Sequence, residues 1–181
     1  MNIRVSICSA IVGMIGTSGL VAPAVIAVQP CTPSPFHLHY TRFISPKYEG
    51  VQRWLYVTPP SQRGANRTNV NQSMSFTTSV AQTISVTTGV SFEVDVNAIV
   101  ASAKVSTSLS VQNSIERGQQ FTLTNVVAPR TEGWVQWKAP IYVFSGTLQS
   151  IDATCKVITS SRATRVTIPG KPEPVWSSRR L

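Results

Sequence analysis

The feature that most constrains the fold is a two-residue alternation of apolar and polar side chains in the middle of the chain. From Met74 to Asn97 the even positions are largely apolar, while the odd positions are mainly Ser and Thr. From Lys104 to Val127 the alternation resumes in the opposite phase, with the apolar residues at odd positions. Successive side chains of a β-strand point to opposite faces. The two segments therefore predict long strands with one apolar face and one hydroxyl-bearing face.

The change of phase predicts that these strands form one hairpin, spanning residues 73–127. In an antiparallel pair, a change of phase at the turn keeps both apolar faces on the same side of the sheet. The turn is expected near Ile99–Ser102, within an apolar stretch that begins at Ala98. A hairpin turn in water favours Asn-Gly or Asp-Gly. An apolar turn instead indicates burial in lipid or in a hydrophobic pocket.

The first 27 residues have the features of a secretory signal peptide. Arg4 precedes an apolar stretch from Val5 to Val21, and the small residues that follow permit cleavage after Ala27. Glycines interrupt the apolar stretch and no stop-transfer charges follow it, so the pattern favours a signal peptide over a membrane anchor. We therefore expect a secreted protein from which residues 1–27 are removed.

Removal of the signal peptide would take away Cys8 and leave Cys31 and Cys155. An even pair of cysteines in an exported protein predicts a disulfide, with two buried thiols as the alternative. The Cys31–Cys155 bond would close a loop around the whole alternating region.

The remaining composition predicts a single all-β domain over residues 28–170. An aromatic- and proline-rich segment precedes the hairpin, and shorter strands follow it from Pro129 onward. We find no 3.6-residue periodicity that would predict a helix, so the expected fold is an elongated antiparallel sheet or sandwich that carries the long hairpin. Residues 171–181 are expected to form a disordered basic tail.

The charge is strongly basic and unevenly placed. The chain has 16 Lys and Arg against 7 Asp and Glu, a net charge of +9. Between Thr68 and Ile115 only Glu93, Asp95 and Lys104 are charged, so the basic excess lies on the two flanks. In an exported protein this distribution favours an anionic cell surface, lipid or glycan, over nucleic acid as a partner. Simple solubility is the alternative explanation.

The residues that carry enzyme chemistry are scarce. The chain has two histidines, His37 and His39, whereas a zinc site needs three or four ligands. The sequence contains no nucleophile elbow and no phosphate-binding glycine loop. We therefore expect no catalytic residues, no metal site and no cofactor.

The Ser/Thr-rich alternating strand, the apolar tip and the second strand in opposite phase resemble the insertion hairpin of aerolysin-like β-pore-forming toxins. The resemblance is closest to the epsilon-toxin and mosquitocidal-toxin group and covers residues 73–127. It implies a secreted protein that assembles into a homo-oligomeric ring, in which each subunit adds one hairpin to a transmembrane barrel. Members of the family are usually longer and have a distinct receptor-binding domain. Whether so short a chain keeps toxin activity stays open.

The family resemblance also implies a role for individual residues. A barrel strand that crosses a bilayer needs about 9–11 residues, and Val86–Val96 and Val105–Ile115 supply strands of that length. The charges of Glu93, Asp95 and Lys104 would face the lumen. The apolar tip would consist of Ala98, Ile99, Val100 and Ala101. The lipid-facing residues would be Val86, Val90, Phe92, Val94, Val96, Val105, Leu109, Val111 and Ile115.

The same alternation also fits a plain β-sandwich, in which the apolar face covers a core and the Ser/Thr face meets solvent. Two functions therefore remain open. The first is a pore-forming, toxin-like protein that inserts residues 86–115 into a target membrane. The second is a secreted, non-lytic binding module that recognises a surface ligand through its aromatic and basic flanks.

Overall fold

The computed structural model describes residues 39–60 and 63–181, and in these ranges the chain is predominantly β-structure. The predicted all-β fold class is confirmed. The predicted signal peptide and Cys31 lie outside the described residues. No helix in the described ranges is long and apolar enough to cross a membrane. The elements, in chain order, are β1 His39–Tyr56, β2 Gly64–Asn66, β3 Gln72–Ser79, β4 Ile84–Ser85, β5 Thr87–Thr88, α1 Val96–Ser106, β6 Ser114–Ile115, β7 Gln120–Val127, β8 Thr131–Asp152, β9 Val157–Pro169 and β10 Glu173–Arg180.

The long strand β8 organises the main sheet. It has 22 residues, which at about 3.3 Å per residue span roughly 70 Å. Its C-terminal half lies between β1 and β9, and its N-terminal half pairs with β10 and β2. All of these pairings are antiparallel. Because one continuous strand contributes to both halves, β8 sets the long axis of the sheet.

The base of the predicted hairpin is present. Strand β3 pairs with β7 from Gln72↔Val127 to Ser79↔Gln120, and β4 pairs with β6. Phe76 lies opposite Leu123, so an even-numbered apolar residue faces an odd-numbered one, as the change of phase requires. The predicted antiparallel pairing of the two alternating segments is therefore correct over the paired strands.

The predicted continuous strands are wrong at the tip, where α1 takes the place of the turn. Asp95 is the N-cap of α1, because its side chain accepts a hydrogen bond from the backbone N–H of Asn97 at 2.9 Å. The helix ends where the N–H of Thr107 donates to the carbonyl of Ala103. The apolar residues also follow the i, i+3, i+4, i+7 pattern of a helix, a signal that the two-residue alternation on either side obscures. They are Val96, Ile99, Val100 and Ala103.

The apolar face of the hairpin packs on one face of the main sheet. At the base, Phe76 and Val127 form a buried cluster with Val135 of β8. Farther along, Val80 and Ile115 are buried together with Val57 and Ala139. The hydroxyl-bearing face points outward and is joined across the strands by Ser75–Thr124 and Thr77–Thr122 hydrogen bonds of 2.8 and 2.9 Å. In the folded chain, the base of the hairpin thus covers a core as a sandwich layer does.

The prediction of a disordered tail over residues 171–181 is wrong for the part that forms β10. This strand pairs with β8 from Glu173↔Lys138 to Arg180↔Thr131. Its Trp176 ring contacts Phe76 with ring centroids 5.1 Å apart. The strand is ordered because it both completes the sheet and supplies an aromatic side chain to the core at the hairpin base.

Candidate functional site: the docked tip of the hairpin

The predicted membrane-inserting segment, residues 86–115, lies against the main sheet and is called here the docked tip. Its helix α1 buries Ile99 and Val100, which are 0% and 2% exposed. They pack in a cluster with Phe43 of β1 and with Phe144 and Leu148 of β8. The apolar stretch that the sequence assigned to lipid or to a hydrophobic pocket therefore occupies a pocket of the protein's own sheet. Ala98 is partly buried there and Ala101 is exposed.

Among the described residues, two side-chain hydrogen bonds join the start of α1 to its surroundings. The backbone N–H of Asp95 donates to Thr41 Oγ1 of β1 at 2.7 Å. The side chain of Asn113, on the returning arm, donates to Asn97 Oδ1. These contacts are exposed, so they contribute less than the apolar burial does. Thr41 and Phe43 lie far from the hairpin in sequence, which is why the sequence analysis did not include them in the site.

The residues predicted to face lipid mostly face the protein interior in this structure. Val111 and Ile115 are buried, and Val105 stands apart because it is 69% exposed. The remaining members are partly buried against the cluster beneath α1, and they are Val86, Val90, Phe92, Val94, Val96 and Leu109. In the folded chain this apolar face thus covers the main sheet.

The three charged side chains of the segment are exposed, as expected for its polar face. Glu93, Asp95 and Lys104 all lie on the surface. Nothing in the described part of the chain forms a salt bridge with any of them. The alternation therefore separates charge from the apolar face throughout the docked tip.

The paired strands of the hairpin share one register. The residue numbers of the partners add up to 199 for Gln72↔Val127 and for Ile84↔Ile115. The hydrogen bond from Val86 N to Asn113 O, 3.2 Å, keeps the same register. The centre of this register falls between Ile99 and Val100, in the middle of α1. The helix thus occupies the place where the extended hairpin would turn.

Beyond Val86 the two arms separate and bind the main sheet instead of each other. On the outgoing arm, β5 pairs with Val166 and Thr167 of β9. On the returning arm, Val111 forms a bridge with Gly170, and Gln112 N donates to Pro169 O at 2.8 Å. The unpaired part of the hairpin is therefore held open by β9 and by the residues that follow it.

Cys155 lies in the turn between β8 and β9 and has a left-handed φ of 68°. Its N–H donates to the carbonyl of Asp152 at 3.0 Å. The predicted partner, Cys31, lies outside the described residues, so the disulfide stays a prediction. Among the described residues, no group of three or more His, Cys, Asp and Glu could hold a metal ion.

No family model matches this chain, and no curated protein matches it. Among solved structures, the crystal structure of a putative pore-forming toxin from Bacteroides vulgatus ATCC 8482 aligns with 79% of this chain at 11% sequence identity. The alignment covers 56% of that protein, and the TM-score is 0.31. A likeness at this level carries no argument about this chain.

Proposed function

We propose that this is a secreted, pore-forming, toxin-like protein whose docked tip leaves the main sheet and completes one amphipathic hairpin in a target membrane. The observation that supports this is the shared register of the hairpin. Continued past Val86 and Asn113 without a slip, it pairs Val90 with Leu109 and Val94 with Val105. Extension of the existing ladder thus leaves the β3–β7 and β4–β6 pairings unchanged, while β5 has to leave β9 and Val111 has to leave Gly170.

The extended register also suits the charges of the tip. It places Asp95 directly opposite Lys104 on the hydroxyl-bearing face. Opposite charges at such cross-strand positions stabilise a sheet, whereas like charges destabilise it. The charges in the folded chain are solvated separately, so the pairing would arise only in the extended hairpin.

The length of the arms fits a bilayer. Val86–Val96 rises about 36 Å at roughly 3.3 Å per residue. With a strand tilt of about 40°, this corresponds to about 28 Å along the membrane normal, near the thickness of the hydrocarbon core. The residues of α1 that lie beyond Val96 would then form the turn on the far side.

A single hairpin cannot remain in a bilayer by itself, because its outer edges would present unpaired N–H and C=O groups to lipid. Only a closed barrel pairs all of these groups. The proposed function therefore includes a homo-oligomer in which each subunit contributes two strands.

The second candidate function is the non-lytic binding module, and the burial of the tip favours it. Ile99 and Val100 already have an apolar environment in the folded chain. If the docked tip is a permanent layer of the fold, the hairpin has a structural role only, and the exposed surfaces of the sheet carry any binding activity.

Substitution of Val105 distinguishes the two functions. Val105 is 69% exposed and belongs to none of the buried clusters, so V105R should leave the folded protein intact. In the extended register it faces lipid opposite Val94. The introduced charge would have to pass the bilayer midplane, where Arg costs about 2–4 kcal/mol per subunit. We expect the unmodified protein to release dye from liposomes and to form SDS-resistant oligomers, and V105R to lose the dye release.

The matched control is S108R. Ser108 is also exposed, but it lies on the hydroxyl-bearing face and would point into the lumen. S108R should therefore keep dye release and change only the conductance or the ion selectivity. Val111 is unsuitable for this test because it is buried in the core, so an Arg there would unfold the protein. Circular dichroism of each variant precedes the liposome assay.

The pore-forming hypothesis is wrong, and the binding module is favoured, if the unmodified protein fails to permeabilise any of the membranes tested. These are anionic, neutral and sterol-containing liposomes and intact cells, each with and without prior proteolysis of the protein.

A further inference from the structure

Five arginines gather at the end of the sheet where β8 begins. Strand β2 pairs with Thr131–Gly133 of β8, and the last three residues of β10 pair with the same part of β8. These pairings bring the arginines together. All five are exposed. This cluster, called here the arginine end, consists of Arg63, Arg67, Arg130, Arg179 and Arg180.

The arginine end has a large excess of positive charge. Glu132 is the one acidic residue among Thr131–Gly133 and the residues of β2 and β10 that pair with them. Its Oε2 lies 2.7 Å from Arg179 Nε and 3.5 Å from Arg63 Nη1, and its side chain is 13% exposed. Arg67 and Arg180 form no salt bridge with any described residue. One carboxylate thus forms salt bridges with two guanidinium groups, and the positive charges of the other arginines face solvent.

Exposed apolar side chains border the same end. Val70 is 65% exposed and Val126 is 56% exposed. The Val70 carbonyl accepts a hydrogen bond from Asn66 of β2, and Val126 lies opposite Ser73 at the start of β3. Arginines mixed with protruding apolar side chains suit the boundary between lipid headgroups and acyl chains. A soluble polyanion would offer the valines no apolar partner.

We propose that the arginine end is a docking surface for anionic phospholipid headgroups. Guanidinium groups bind phosphate with two parallel hydrogen bonds, and Val70 and Val126 would enter the boundary layer beneath the phosphates. The surface lies at the base of the hairpin, so the docked tip can move without disturbing it. A binding module that never inserts would use the same surface, and the proposal therefore stands independently of pore formation.

The test is co-sedimentation with phosphatidylcholine vesicles that contain phosphatidylglycerol. We expect R67Q/R180Q to bind about 30-fold more weakly than the unmodified protein, because each basic residue near an anionic surface contributes about fivefold. The matched control is R53Q/R162Q, which removes the same charge from two exposed positions elsewhere on the sheet. It should bind as the unmodified protein does. Equal weakening of the two variants would show a nonspecific charge effect and overturn the proposal.

A second pair of measurements separates lipid from a soluble polyanion. V70S/V126S should weaken vesicle binding and leave retention on a heparin column unchanged. If V70S/V126S binds vesicles as tightly as the unmodified protein does, the apolar contact is absent and a sulfated or phosphorylated polymer is the better partner. Because vesicle binding is measured without reference to leakage, failure of this proposal and failure of pore formation are distinguishable.

Discussion

Asn66 is a buried polar residue that holds together the base of the hairpin. It is 0% exposed, and its Nδ2 donates to the carbonyls of Val70 and Val127 at 2.7 and 2.8 Å. Its Oδ1 accepts from the N–H and hydroxyl of Thr68. N66A would remove the donor to the buried Val127 carbonyl, and a buried group left unsatisfied costs about 1–3 kcal/mol; the exposed Val70 carbonyl would keep its hydrogen bond from the Thr68 hydroxyl. We expect urea denaturation to show a loss of about 1–3 kcal/mol. N71A, at an exposed position, should change stability by less than about 0.5 kcal/mol; equal stabilities would contradict the assigned role.

Two hydrogen-bonded carboxylates, Asp152 and Glu49, make the stability sensitive to acid. The hydroxyl of Thr154, followed by the N–H groups of Lys156 and Thr154, holds the pKa of Asp152 below its ordinary value of 3.8. A hydrogen bond from Ser145 and the nearby Arg165 hold the pKa of Glu49 below 4.5. Their contributions are therefore present above the unfolded pKa values and disappear as the pH falls through the lower folded ones. We expect the free energy of unfolding to decline below about pH 4.5, with a smaller decline in D152N and E49Q. A decline of the same size in both variants would assign the effect to other groups.

At the scale of elements, the sequence predicts the hairpin base better than its tip. At the base, period-two alternation determines the structure, because the apolar face has only the sheet to pack on. Between Val96 and Ser106 the period-two alternation is interrupted by the apolar stretch 98–101, which is compatible either with an apolar turn or with a helix of period 3.6, and the N-cap Asp95 favours the helix. The helix forms because its apolar face packs on Phe43 and Leu148 of the main sheet. Sequence periodicity cannot show that long-range contact. The ordered β10 was missed for the same reason, since its Trp176 packs on distant Phe76.

The docking of α1 can be weakened by a single substitution. Ile99 is fully buried against the sheet, so I99A should remove about 2–5 kcal/mol from the docking of the helix. We expect faster amide hydrogen exchange in residues 86–113 and little change in β3 and β7, which have their own core. K104A, on the exposed face of α1, is the control and should leave the exchange rates near those of the unmodified protein. Unchanged protection in I99A would mean that α1 is held by contacts other than its apolar face.

At the scale of the whole molecule, the predicted Cys31–Cys155 bond would join the N-terminal part of the chain to the turn after β8. A bond that closes so long a loop typically stabilises a protein by about 2–4 kcal/mol. Peptide mapping of the purified protein without reductant should recover the two cysteines in one linked species. C31S/C155S should unfold at a lower urea concentration than the unmodified protein does. Recovery of both residues as unmodified thiols would exclude the bond.

Release of the tip requires α1 to separate from β1, and a covalent link between the two should prevent it. The N of Asp95 lies 2.7 Å from Thr41 Oγ1, so the two Cα atoms lie within about 6.6 Å, inside the range that a disulfide spans. We expect oxidised T41C/D95C to bind anionic vesicles through the arginine end without releasing dye, and reductant to restore the release.

The controls are T41C and D95C alone and the unmodified protein with reductant, and peptide mapping verifies the intended link. Dye release by the linked protein at the rate of its reduced form would show that α1 stays on β1 during permeabilisation, and the conversion of the tip into strand would then be wrong.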